Sequence, residues 1–259
     1  MQTQVKKETT NANSHVKKLI GIISGKGGVG KSYTTGMLAL SLNDLGFEVG
    51  ILDADITGPS IPHMFNVKDK AFGDQTSIYP YVVDGIGIKI ISAAMLLDDN
   101  EDPLIWRGPL IGDLIKQFYN TVNWGELDYL LVDFPPGTSD VAITAMQSLP
   151  LDGLIIVTTP QDMVGIIVKK AINMANKLNV PLLGVINNMA YLECPSCGEK
   201  VYIYGESSQA TIEEKLGIPL LGEVRLMPNN VKALDKGEFE KVNLDDFTKI
   251  ATKITKRGE

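Results

Sequence analysis

Gly25-Lys26-Gly27-Gly28-Val29-Gly30-Lys31-Ser32 is the stretch from which the rest of this chain is best understood. It fits G-x-x-x-x-G-K-[ST], a loop whose backbone N–H groups close around phosphate oxygens. Before it, Leu19-Ile20-Gly21-Ile22-Ile23 reads as a buried strand, and after it Met37-Leu38-Ala39-Leu40-Ser41-Leu42 reads as a helix. The loop therefore stands between a strand and a helix N-terminus, where the helix dipole favours an anion. In that setting Lys31 is expected to reach the β- and γ-phosphates of a nucleotide, and the Ser32 hydroxyl to ligate Mg²⁺. Lys26 is a second lysine that an ordinary loop of this type does not require.

Outward from the loop, strand-like apolar runs alternate with helical patterns. The expected strands are Leu19–Ser24, Glu48–Asp53, Ile86–Ser92, Tyr129–Asp133, Gly153–Thr158, Leu182–Asn187 and Leu220–Val224. Several are nearly continuous Val, Ile and Leu, as parallel strands covered on both faces require. Helices are expected at Lys31–Leu45, Pro109–Val122, Asp140–Ser148, Met163–Leu178, Ser207–Leu216 and Asp245–Thr255. This alternation predicts an α/β fold: a doubly wound, mainly parallel sheet with helices on both faces and ligands at the C-terminal strand ends. Asp84-Gly85, inside Tyr79–Ile91, predicts a local hairpin.

The chain has 259 residues, 44% of them hydrophobic, with no Pro/Ser-rich or charged linker, so a single domain over 18–259 is expected. Residues 1–17 are rich in Lys, Thr, Asn and Gln and predict a flexible tail with neither a secretory nor a transit signal. A net charge of −7, from 24 basic and 31 acidic residues, argues against a general nucleic-acid binder. No apolar run approaches the ~20 residues of a membrane span. The C-terminal Phe247–Ile254 segment is weakly amphipathic but short of large apolar residues for stable membrane association. Two cysteines are too few for a disulfide framework, and a cytoplasmic location is expected.

Hydrolysis of a nucleotide needs a metal and an oriented water beside the phosphate loop. Leu130-Leu131-Val132-Asp133 is a Walker-B-like strand that ends on its acid, placing Asp133 near Mg²⁺. Asp53-Ala54-Asp55 ends another strand, and alternation points both carboxylates the same way. Asp53 is assigned to the Mg²⁺ shell, and Asp55 to positioning or activating the attacking water. Pro135-Pro136-Gly137-Thr138-Ser139-Asp140 follows as a switch loop, with Asp140 available as the N-cap of the next helix.

Cys194-Pro195-Ser196-Cys197 supplies two thiolates at a spacing that can share one metal ion or cluster. Such centres usually take four protein ligands, and His15 and His63 are distant in sequence. A closed four-thiolate site then needs a second chain, which a twofold dimer supplies. Three readings stay open: a dimer-bridging metal centre, a thiol–disulfide pair, or incidental surface thiols.

These residues together resemble the deviant-Walker-A ATPases, the group of MinD, the ParA partition proteins and the nitrogenase iron protein. The resemblance narrows with Asp53-Ala54-Asp55-Ile56-Thr57-Gly58-Pro59-Ser60-Ile61-Pro62, with Trp106-Arg107-Gly108-Pro109, and with Asn188-Met189 ahead of Cys194-x-x-Cys197. Over roughly residues 18–240 the chain is similar to the Mrp/ApbC family of iron–sulfur cluster carrier ATPases. That resemblance implies an ATP- and Mg²⁺-dependent homodimer that holds a labile [4Fe–4S] cluster between two CxxC pairs and passes it to apo-proteins. It also implies that Lys26 reaches the partner's nucleotide, making Lys26, Lys31 and Asp55 the catalytic set. Residues Gly25 to Ser32, with Tyr33, would line the nucleotide, and Asn188 would meet adenine. Tyr33 replaces the threonine usual at that position, and Asn187 replaces a frequent acid. A MinD/ParA-like positioning ATPase, or an ATPase dimer with structural zinc, are the alternatives.

Overall fold

The computed structural model describes residues 7–55, 58–74, 77–95, 108–137, 139–161, 165–205 and 209–257. Its elements run β1 (His15–Ser24), α1 (Lys31–Asp44), β2 (Val49–Asp53), α2 (Ile61–Met64), β3 (Phe72–Gly73), β4 (Ile78–Tyr79), β5 (Tyr81–Val82) and β6 (Lys89–Ser92). They continue with α3 (Gly108–Asn120), β7 (Glu126–Asp133), α4 (Asp140–Ser148), β8 (Gly153–Thr158), α5 (Ile166–Lys177) and β9 (Leu182–Asn187). The chain closes through β10 (Leu192–Glu193), β11 (Lys200–Val201), α6 (Gln209–Leu216), β12 (Leu220–Glu223), α7 (Pro228–Leu234) and α8 (Asp245–Arg257).

An eight-stranded sheet in the order β12-β9-β8-β1-β7-β2-β6-β5 forms the frame. Its pairings are parallel except at the edge, where β5 runs antiparallel to β6 as the Asp84-Gly85 turn predicts. Alternation along each strand feeds two cores. Leu19, Ile23, Leu130 and Val132 face α3, α4, α5 and α6, through Phe118, Met146, Ala171 and Ile212. Ile20, Ile22, Leu131 and Ile155 face α1, α7 and α8, through Leu38, Leu234 and Ile250. The doubly wound α/β reading is what the structure shows.

The apolar stripe of α8 is spent inside the molecule, since Phe247, Ile250, Ala251 and Ile254 are all at most 5% exposed. Among the described residues no helix is long and apolar enough to cross a membrane.

The N-terminal segment departs from the expected tail. β1 begins at His15, in register with Glu126 of β7. Lys7 Nζ donates to the Leu149 carbonyl at the end of α4 (2.9 Å), and Asn11 Nδ2 to the Val122 carbonyl (2.9 Å). Polar side chains there satisfy backbone carbonyls that helix and strand ends leave open, so the residues order despite having little to bury. Trp106, Arg107, Thr138 and Met163 lie outside the described residues, as do Ile56 and Thr57.

Trp124 belongs to the core covered by α3 to α6. It is fully buried, its Nε1 donates to the Phe118 carbonyl (3.1 Å), and its backbone N–H donates to Ser14 Oγ (2.8 Å). Trp124→Ala is expected to cost about 3–5 kcal/mol of stability, seen as a lower urea midpoint at unchanged slope.

Candidate nucleotide and thiolate site

Parallel register brings the polar strand ends together. Asp53 lies opposite Asp133 on β7 and opposite Ser92 on β6. Asp53, Asp55 and Asp133 are all buried, at 1%, 8% and 0% exposure. The cation among them is Lys31, itself 6% exposed at the start of α1. Its Nζ lies 2.8 Å from Asp133 Oδ2 and 3.7 Å from Asp55 Oδ2. The Ser32 hydroxyl donates to Asp133 Oδ2, and Thr35 Oγ1 donates to Asp133 Oδ1 at 2.8 Å. Asp53 accepts from the Asp55 N–H (3.1 Å) and from Ser92 Oγ (3.0 Å).

Burial first, and then the nearby Asp133 charge, push the Asp53 pKa up to about 8. The cluster carries more acid than Lys31 can neutralise, so it takes up a proton instead. This donor set of carboxylates and a hydroxyl suits a hard cation such as Mg²⁺. Among the described residues no group of three or more His, Cys, Asp or Glu forms a metal cage.

A cavity of about 630 Å³ opens in front of the loop, lined by Lys26, Lys31, Ser32, Tyr33, Asp55 and Pro136 among others. Lys26, Gly27 and Gly28 are exposed at its lip. Gly30 has φ +79°, and a Cβ there would overlap the Asn188 amide, so glycine is required twice over. Asn188 Nδ2 donates to the Val29 carbonyl (2.9 Å), which places Asn188 behind the loop. Ser139, rather than Asp140, caps α4, accepting from the Ala142 N–H at 3.3 Å.

The cysteines occupy the turn between β10 and β11, an antiparallel pair following β9. The Gly198 N–H donates to the Cys194 carbonyl (2.8 Å), and the Cys194 N–H to the Glu199 carbonyl (2.9 Å). Backbone N–H groups of Ser196 and Cys197, then the Cys197 thiol, hold the Cys194 thiol below its usual pKa. Cys197 is exposed and Cys194 half-buried, and neither is in a disulfide. A thiolate-stabilising turn open to solvent is a knuckle suited to metal or cluster ligation.

The iron-transfer P-loop NTPase family described as ParA/NUBPL matches residues 15–257. The chain belongs to that family. Iron-sulfur cluster carrier proteins of Clostridium perfringens and Methanocaldococcus jannaschii are 47% and 46% identical to it. The first alignment covers 87% of this chain and 82% of the relative; the second covers 95% and 87%. Among solved structures, the nucleotide-binding protein of Archaeoglobus fulgidus in complex with ADP is similar, at 41% identity and TM-score 0.77, over 87% of this chain and 88% of that one. MinD of Pyrococcus furiosus shares the fold at 20% identity and TM-score 0.68, over 93% and 99% of the two chains.

Two residues of the carboxylate cluster have no motif signal in the sequence, Thr35 and Ser92. Each is a buried hydroxyl holding one of the acids, and neither stands in a recognisable spacing. Their only signal was position, one helical turn past Lys31 and at the end of the strand beside Asp53.

The Asp53 proton has a measurable consequence. Folded Asp53 keeps its proton to about pH 8, whereas an unfolded aspartate releases it near ~4. Across that interval the native state binds more protons, so this group removes stability as pH rises, until both states are ionised above 8. Asp53→Asn should therefore raise the melting temperature of the metal-free protein more at pH 8 than at pH 5. Equal shifts at the two pH values would contradict the assignment.

Proposed function

We propose that this chain is an ATP-hydrolysing carrier that binds a labile [4Fe–4S] cluster across a homodimer and transfers it to apo-proteins. The observation that carries this is the pairing, in one chain, of the Lys31–Asp133 phosphate-loop cluster with an exposed two-thiol knuckle. A single chain offers that knuckle only Cys194 and Cys197, half of a four-thiolate set. The names of the relatives support the cargo, and the ADP of the Archaeoglobus fulgidus protein supports the nucleotide.

In this reading Gly25 to Ser32 wrap the phosphates, with Lys31 exchanging part of its contact with Asp133 for the β- and γ-oxygens. Ser32, Asp53 and Asp133 would hold Mg²⁺, whose charge offsets that developing on the phosphate oxygens. Asp55, at the cavity wall, orients the water that attacks the γ-phosphorus, and the products are ADP and phosphate. Lys26, exposed at the lip, reaches the nucleotide of the partner subunit. Tyr33 flanks the nucleotide at the base of α1, and Asn188 would exchange Val29 for the adenine edge. The buried stripe of α8 leaves no apolar face there for a membrane, which favours the carrier over a positioning ATPase. The setting is an aqueous one, the cytoplasm, with iron–sulfur apo-proteins as clients and no nucleic acid.

Two measurements test the reading. Anaerobic reconstitution with iron and sulfide should give a dimer with about four iron and four sulfide per pair of chains, and Cys194→Ala/Cys197→Ala should give none. A wild-type protein that takes up only zinc, or no metal, would remove the carrier function and leave the NTPase standing. Lys26→Ala should retain nucleotide binding but lose turnover by roughly 10³-fold, the scale of a cation supplied in trans. Lys31→Ala should lose the binding itself. Wild-type turnover in Lys26→Ala would sink the role across the dimer.

A further inference from the structure

With strands of two residues each, the cysteine hairpin cannot order itself. Its root is lashed to the segment after β12. The Ala190 N–H donates to the Val224 carbonyl, and the Leu226 N–H to the Tyr191 carbonyl, both at 2.8 Å. Between those two bonds stands Arg225, whose guanidinium spans three carboxylates. Nη1 reaches Glu193 Oε2 (2.7 Å), Nη2 reaches Asp245 Oδ2 (3.2 Å) and Nε reaches Asp246 Oδ2 (3.1 Å). Glu193 immediately precedes Cys194, while Asp245 and Asp246 form the first turn of α8. Only a planar fork with several fixed donors can join carboxylates from two elements in this way.

The far end of α8's first turn leads back to the nucleotide cavity. Asn243 Oδ1 accepts the Asp245 N–H (3.1 Å). The Asn230 amide grips the Asn243 backbone from both sides, donating at 2.8 Å and accepting at 3.0 Å. Asn230 is 3% exposed and lies on α7, whose Val231 and Leu234 line the cavity. The same amide donates to the Tyr33 hydroxyl (3.4 Å), and the Tyr33 ring meets Phe247 of α8 edge-on at 6.0 Å. Contacts therefore run without a break from the cavity wall to the residue before Cys194.

We infer that Arg225 is the positioning residue that carries nucleotide occupancy to the cysteine hairpin. A nucleotide that displaces Tyr33 and α7 shifts the first turn of α8. Arg225, held at both ends, then re-aims Glu193 and the turn bearing Cys194 and Cys197. This rests on the proposed function for its purpose, though the coupling itself needs only a nucleotide that binds the two arrangements with different affinity.

The test is the alkylation rate of the two thiols in the reduced, metal-free full chain, with and without saturating ADP or a non-hydrolysable ATP analogue. In wild type the nucleotide should change the rate by about fivefold or more. In Arg225→Ala the change should vanish, with nucleotide Kd held within about threefold. Arg225→Lys, which keeps the charge but not the fork, should fall between. Glu193→Ala breaks only the hairpin end of the joint and should lose the response as Arg225→Ala does; it decides the matter if Arg225→Ala fails to fold. A full response in Arg225→Ala or in Glu193→Ala, or no response in wild type, would overturn the inference. A wild type that responds in this way yet takes up no iron or sulfide would support the coupling and overturn the carrier reading.

Discussion

One buried ion pair, Lys31 with Asp133, organises everything at the C-terminal edge of the sheet. Asp133 is fully buried and Lys31 nearly so, and losing either partner of such a pair leaves an uncompensated charge costing about 3–5 kcal/mol. The pair fixes the start of α1 against the end of β7, and so fixes the loop between β1 and α1. Ser32 and Thr35 then find Asp133 as their acceptor, one at each carboxylate oxygen. The excess of acid over base has no structural benefit of its own. Its cost is the raised pKa of Asp53, which a bound cation would lower.

The second constraint acts from behind the loop. Asn188 closes on the Val29 carbonyl, and Met189 beside it adopts φ +55°, a left-handed conformation uncommon for a side chain of that size. The turn that leaves β9 is therefore shaped by the phosphate loop. Six residues later the same segment supplies Cys194. The two chemistries share one sheet edge, joined by the Asn188 turn on one side and by Arg225 with α8 on the other.

Much of this was legible in the sequence. The strand centres were, because parallel strands buried on both faces leave near-continuous Val, Ile and Leu. The start of β1 was not, because His15–Lys18 alternate between exposed and half-buried positions and carry charge. The α7 helix was missed because Pro228-Asn229-Asn230 reads as a turn, although Pro is well suited to a helix's first residue. The acids were legible as strand ends in a known pattern. Thr35, Ser92, the hold of Asn188 on Val29 and the hub at Arg225 were not. Each depends on residues distant in sequence, and a hydroxyl or an arginine carries no spacing that announces its partner.

The shortness of β10 and β11 separates two loads that the molecule bears. Holding a nucleotide draws on the cooperative sheet, whose opening requires the whole core to come apart. Holding anything between the thiols draws on a hairpin outside that sheet, in the low-stability range where local opening is cheap. Local opening of the hairpin and global melting of the protein thus draw on different contacts.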